Sequence, residues 1–370
     1  MSMPTPIPNR HLFGPGPSNA YPEATSALAQ PLLGHLDPEF LRILDETCAR
    51  LRTVFGTANA RTLPLSATGS AGMETAFVNT VEPGDVVVVA VNGLFGERMV
   101  DVASRCGAEV VRVDTPWGRA IDPVEVANAH PAPKLVAVVH AETSTGVLND
   151  VAAVATALRD SGRDALLLAD CVTSLGGIEV ALDRWGVDLA YSGSQKCLGV
   201  APGLAPFSIN DRAWARRVVR PRSWYFDLGM IGDYAVTAAG TGRKYHHTAP
   251  VAMIASLHAG LGRILAEGLP EVYARHAECG RTLHKGLEEM GLELFAEPDA
   301  RLPELTTVRV PAGVSSRTVR QELLERYGVE IGAGVGRYAD TVWRIGLMGH
   351  NARPDSVTLL LGALRDLLGR

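Results

Sequence analysis

Five cysteines stand among 370 residues, and no two of them form a C-x-x-C pair. Cys48, Cys106, Cys171, Cys197 and Cys279 are too scattered to frame disulfides or a zinc site, so a reducing cytoplasm suits the chain. A basic surplus is missing as well. With 35 Lys and Arg against 40 Asp and Glu, the formal charge is −5; neither nucleic acid nor an anionic membrane, which call for a basic footprint, is an expected partner. No apolar run approaches the ~20 residues that cross a bilayer, and the proline-rich start (1–11) has no basic stretch followed by an apolar one. Neither secretion nor membrane insertion is expected, and no internal repeat is visible. Small-molecule chemistry in the cytoplasm is what remains.

The hydrophobic set makes up 46% of the chain and charged residues 20%, enough for a substantial core and, at this length, one large domain with a smaller one. Three apolar runs, at 86–91, 135–139 and 165–169, are short and rich in Val or Leu, as strands buried on both faces are. Pro83-Gly84-Asp85 supplies turn chemistry before the first. Helical patterns at 95–105 and 151–161 lie between the runs, so strand and helix alternate and the expected fold class is α/β with a mostly parallel central sheet. After about residue 250 the pattern becomes a long helix (251–268), another helix, a short strand (305–310), helix, strand (343–347) and helix. The expected division is a large domain over 1–250, with an N-terminal arm of about 1–20, and a small α+β domain over 251–370.

Asp170 follows the 165–169 run and so stands at a strand's carboxyl end, where open parallel sheets bind ligands. It suits either the N-cap of a helix or a carboxylate facing a cationic ring nitrogen. The segment Tyr191-Ser-Gly-Ser-Gln-Lys196-Cys-Leu-Gly sets a lysine among small residues after another short strand (189–191). A solvated lysine is the plain reading; a buried one would lose its ammonium form and become a carbonyl nucleophile. One βα step and a strand separate Asp170 from Lys196, so both could face one ligand, as the Schiff-base lysine and pyridinium partner do in pyridoxal-phosphate enzymes. Thr68-Gly69-Ser70-Ala71-Gly72, opening a helix expected over 71–80, offers the backbone amides a phosphate needs. Gln195 could add a side-chain donor.

Six motifs in order then carry a resemblance through most of the chain. They are Gly14-Pro-Gly-Pro-Ser18, Thr143-Ser-Thr-Gly146, Asp170 with Ser174-Leu-Gly-Gly177, Ser192-Gly-Ser-Gln-Lys196, Tyr245-His-His-Thr248 and Arg344-Ile-Gly-Leu-Met-Gly349. The sequence resembles the class V aminotransferases of fold type I, specifically the alanine:glyoxylate and serine:pyruvate group. The resemblance implies pyridoxal 5'-phosphate as cofactor, held as a Schiff base on Lys196 with Asp170 at its ring nitrogen. It implies Thr143 near the ring hydroxyl and Thr68, Gly69, Ser70 and Gln195 at the phosphate. Tyr245 and Thr248 would reach the neighbouring subunit's phosphate site, which makes the expected enzyme a homodimer. Arg344 would clamp the substrate α-carboxylate, a task for its planar fork, and the loop at Ser18 and Asn19 would close over the substrate.

Two positions depart from the animal alanine:glyoxylate enzymes: Phe95 replaces a tryptophan stacked on the cofactor ring, and Ser70 replaces a histidine after the phosphate-loop glycine. Both leave the cofactor contacts in kind and bear on the substrate. The implied reaction moves an amino group from alanine or serine to a 2-oxo acid such as glyoxylate or pyruvate. A ureidoglycine:glyoxylate, pyridoxamine:pyruvate or biosynthetic transaminase stays open, as does a lyase, although Cys197, fixed beside Lys196, is a poor match for a desulfurase's mobile cysteine. A non-catalytic cofactor-binding protein is the reading from another class. Arg98, Arg222 and Arg243 are unplaced candidates for a distal carboxylate. His246 and His247 suggest a metal at first sight, but adjacent histidines are expected to diverge and no third ligand is in register, so no metal is expected.

Overall fold

A computed structural model describes residues 7–236 and 242–369; the first six residues of the expected arm lie outside the described residues. Seven strands form the main sheet: β1 (Arg61–Leu65), β2 (Val86–Val91), β3 (Glu109–Asp114), β4 (Leu135–Val139), β5 (Leu166–Asp170), β6 (Leu189–Tyr191) and β7 (Ala205–Ile209). Their spatial order is β1-β7-β6-β5-β4-β2-β3. Pairing from β6 through β3 is parallel, while β7 runs antiparallel to both its neighbours. β4 and β5 are buried at every position, which is why they read as unbroken apolar runs rather than alternating ones.

Register brings three strand ends level at the carboxyl edge of the sheet. Val139, Asp170 and Tyr191 are partners across β4, β5 and β6. Two helices start at that edge: α3 (Gly69–Thr80), preceded by Thr68, and α4 (Leu94–Arg105), preceded by Gly93. Two earlier helices, α1 (Pro22–Leu28) and α2 (Pro38–Phe55), cover the sheet's flank. α2 carries its own boundaries: Asp37 accepts the Glu39 N–H, Pro38 occupies the first turn, and Gly56 closes the helix in the left-handed region (φ 59°).

The helix Val251–Glu267, expected at the start of the small domain, packs on the large one. Its buried residues Ile254, Leu257, Leu261 and Ile264 belong to the main core with α1 and α2, because their spacing of three to four residues gives one apolar stripe that faces the large domain. Gly268 (φ 94°) then ends it before the helix Leu269–Glu289. We propose that the two parts divide near Gly268 rather than at 250. A second core gathers Leu283 and Leu287 with Trp343, Ile345, Leu360 and Leu364. Its antiparallel sheet orders Leu305–Arg309, Val342–Gly346 and Gly332–Ala333. Phe13 is buried in this second core, and His11–Leu12 pairs in parallel with Val329–Glu330. The N-terminal arm is thus built into the C-terminal part.

Candidate active site

Asp170 is the last residue of β5 and only 3% exposed. Its Oδ1 accepts the Val172 N–H and its Oδ2 the Tyr191 hydroxyl, each at 2.8 Å. The first bond closes a turn rather than a helix, which disposes of the N-cap alternative. Burial pushes the carboxyl up to about 6, against the pull of those two donors and of the charges on Lys196 and Arg98.

Lys196 is 8% exposed, so the solvated alternative also falls away. Burial, then the positive charge of Arg344, brings its amine down to about 8. Arg344 thus lies near enough for its charge to act on Lys196. The amine donates to the Pro15 carbonyl, and a Cβ on Gly16 (φ 110°) would lie 2.6 Å from Nζ, so the arm closes directly over the lysine. Arg344 lies on Val342–Gly346 with Nε committed to the Ala333 carbonyl at 2.7 Å. Its two terminal nitrogens have no partner among the described residues, and burial lowers the guanidinium to about 10.

Ser18 and Asn19, expected at the substrate, are engaged with backbone groups. The Ser18 N–H donates to the Gln195 carbonyl (2.9 Å) and its hydroxyl to the Lys196 carbonyl (2.9 Å). Asn19 bonds the arm's own backbone at Arg10 and Leu12. With these polar atoms engaged, Ser18 staples the arm to the lysine turn and Asn19 ties the arm to itself.

On the far side of Asp170, α3 opens with Thr68, Gly69 and Ser70, and its first turn holds no acidic residue. A Cβ at Gly69 would come within 3.0 Å of Val172, directly after the Asp170 turn, so phosphate loop and carboxylate are packed together. Gln195 Oε1 is buried without a partner among the described residues. Phe95 sits in the first turn of α4, where Glu142 accepts the N–H groups of Phe95 (3.1 Å) and Gly96 (3.4 Å) together with the Ser144 N–H and hydroxyl. Thr143, between these residues, is buried. Arg98, unplaced from sequence, belongs here: Nη1 donates to Ser70 Oγ at 3.2 Å and the guanidinium lies 4.9 Å from the Phe95 ring.

Tyr245 and Thr248 stand apart. Tyr245 is 59% exposed, its hydroxyl 3.3 Å from Thr248 Oγ1 and its ring 5.3 Å from that of His35. The neighbouring histidines do not diverge as expected. Their Nδ1 atoms meet at 2.7 Å, while His247 Nε2 lies 2.6 Å from Ser66 Oγ and His246 Nε2 3.2 Å from the Trp224 carbonyl. A hydrogen-bonded chain, not a coordination sphere, uses their ring nitrogens. No group of three His, Cys, Asp or Glu able to hold a metal occurs among the described residues.

An amine whose charge burial disfavours, a buried carboxylate at a strand end and a helix N-terminus clear of acid fit pyridoxal phosphate from its aldehyde to its phosphate. The class so defined is a fold type I pyridoxal-phosphate enzyme. Comparison with known proteins agrees: residues 19–351 match the family described as aminotransferase class-V, and the chain belongs to that family. It is 39% identical to the alanine–glyoxylate aminotransferase of Drosophila melanogaster, over 98% of this chain and 93% of the relative. It is 35% identical to the (S)-ureidoglycine–glyoxylate transaminase of Bacillus subtilis, over 98% and 91%. A crystal structure of an alanine–glyoxylate aminotransferase from Nostoc sp. superposes with a TM-score of 0.94 at 45% identity, covering 100% of this chain and 97% of that one. The protein is a pyridoxal-phosphate-dependent transaminase with the α/β fold expected from its sequence.

Proposed function

We propose that the enzyme transfers the amino group of a small amino acid, alanine or serine, to glyoxylate or pyruvate, and that it does so as a homodimer. The observation that carries this reading is one buried strand-borne guanidinium, Arg344, anchored through Nε at the Ala333 carbonyl, whose terminal nitrogens have no partner among the described residues and suit an α-carboxylate. Lys196 would hold the cofactor's aldehyde end, Asp170 its ring nitrogen, Phe95 a ring face, Thr143 the hydroxyl side, and Thr68, Gly69, Ser70 and Gln195 the phosphate. Bound there, pyridoxal phosphate supplies an electron sink that acidifies the substrate Cα–H. The chain's own work is orientation and proton movement. Arg344 fixes the carboxylate, and Lys196 Nζ, poised near neutrality by burial, takes the Cα proton. The arm over Lys196 keeps bulk water from that amine.

The experiment is a panel of amino donors against glyoxylate, pyruvate and 2-oxoglutarate. Turnover with alanine or serine and glyoxylate or pyruvate is expected; a clear preference for glutamate and 2-oxoglutarate would overturn the reading. The Bacillus subtilis relative favours a second reading, a ureidoglycine:glyoxylate activity, so (S)-ureidoglycine belongs in the same panel. The exposure of Tyr245 and Thr248 on one chain supports their use in a neighbouring subunit's site. Chains lacking Lys196 and chains lacking Tyr245 and Thr248, each inactive alone, are expected to recover activity in mixed dimers. Failure to recover in verified mixed dimers would count against the shared site.

A further inference from the structure

Asp170 and Tyr191 end adjacent parallel strands in register, so both side chains project from the same face of the sheet at its carboxyl edge. The tyrosine is fully buried, and its hydroxyl donates to Asp170 Oδ2 at 2.8 Å while Val172 N–H occupies Oδ1. A tyrosine ring could swing away from such a bond, but here it is pinned. Gly72, one turn into α3, packs so closely on it that a Cβ would fall 2.9 Å from Tyr191 Cβ and 3.2 Å from two ring atoms. The backbone is fixed as well, since the Cys171 N–H donates to the Tyr191 carbonyl at 2.8 Å. The helix that opens with the phosphate loop therefore rests on the ring whose hydroxyl aims the carboxylate.

We propose that Tyr191 is the positioning residue for Asp170, holding it ionised and aimed at the cofactor's ring nitrogen. The inference rests on the reading that Asp170 partners that nitrogen. A buried carboxylate with one donor per oxygen keeps its charge better than one with a bare oxygen, because each donor stabilises the ionised form more than the protonated one. Burial and the adjacent negative charge hold the phenol well above its ordinary value, so it stays a donor and does not compete with Asp170 for the charge. Without the hydroxyl, Oδ2 would be an unmatched buried oxygen, and Asp170 would recover by taking a proton. A protonated Asp170 no longer favours a protonated ring nitrogen, so Tyr191 acts on the electron sink without touching it.

The test compares binding of pyridoxal phosphate with binding of its carba analogue, in which C–H replaces the ring nitrogen, to cofactor-free dimer at one neutral pH. Wild type is expected to prefer pyridoxal phosphate. In Tyr191→Phe that preference should fall by about 10-fold or more, the usual worth of a hydrogen bond to a buried charge, while affinity for the analogue holds. Equal weakening toward both compounds, or an unchanged preference, overturns the proposal, since a merely structural tyrosine cannot tell them apart. If wild type shows no preference, it is the assignment of Asp170 that fails, and this inference with it. Should Tyr191→Phe not fold, 3-fluorotyrosine at position 191 gives a stronger donor in nearly the same space; a raised preference supports the proposal and an unchanged one sinks it.

Discussion

Arg344 makes the sharpest residue-scale prediction. Its Nε is spent on the Ala333 carbonyl, so the guanidinium plane is set before any substrate arrives. Lysine could supply the charge but not both the anchor and the fork. Arg344→Lys is expected to raise KM for the amino donor about 10- to 100-fold, with the visible absorbance of bound cofactor unchanged; an unaltered KM would refute the carboxylate role. Which residues could be read from sequence follows from how local their cues are. Asp170 and Lys196 were legible because a strand end and a turn of small residues are written in adjacent positions. The bonds of Ser18 were not legible because its partners, the carbonyls of Gln195 and Lys196, lie 177 and 178 positions away. Glu142 and Tyr191 were missed, and Arg98 was left unplaced, for the same reason: each acts on a neighbour that only the folded sheet supplies.

Among the elements, the strands buried on both faces were plain in the sequence, whereas β1 and β7 were not, since each carries a proline. The fold resolves the conflict by pairing Pro64 with Pro206. Pro206 turns its carbonyl toward β6, where it accepts the Ser192 N–H, so at this pair neither strand needs a proline N–H toward the other. The helix Val251–Glu267 was legible as a helix but not in its allegiance, because an apolar stripe does not say which core it meets. Helix ends test more directly. At Gly56 the backbone has φ 59°, and a Cβ would meet Ala181 Cα at 2.8 Å and the Val180 carbonyl at 2.9 Å. Gly56→Ala is expected to cost about 1–3 kcal/mol, read as a lower denaturation midpoint with kcat unchanged. A loss smaller than about 0.5 kcal/mol would mean that α2 ends elsewhere in solution.

For the whole molecule, stability should fall toward both ends of the pH scale. Glu304 is fully buried with both oxygens unmatched among the described residues, and burial raises its carboxyl from 4.5 to about 8. The unfolded chain loses that proton above its ordinary value while the folded one keeps it, so this contribution is whole below 4.5 and lost as pH climbs through 8. His276 works in the opposite sense. Its Nε2 accepts the Gly349 N–H at 3.0 Å and its Nδ1 lies 2.7 Å from the Val272 carbonyl, a neutral ring with both nitrogens used. Burial lowers it from 6.5 to about 4, so its contribution is whole above 6.5 and lost as pH falls through 4. Glu304→Gln should stabilise the protein by about 1–3 kcal/mol at alkaline pH and by little in acid. Denaturant midpoints across the pH range measure this, and an equal effect at both ends would contradict it.

The arm that covers Lys196 has a further, practical consequence. It is anchored at both ends, through Phe13 in the second core and through Ser18 and Tyr21 on the lysine turn, while Ile7 just upstream is 95% exposed. A fusion tag or dye attached ahead of residue 7 should therefore go unnoticed by the enzyme, whereas trimming the chain to residue 22 should strip the roof from Lys196 and unmoor the turn beneath it. The safe place to handle this molecule ends only a few residues before its most sensitive one begins.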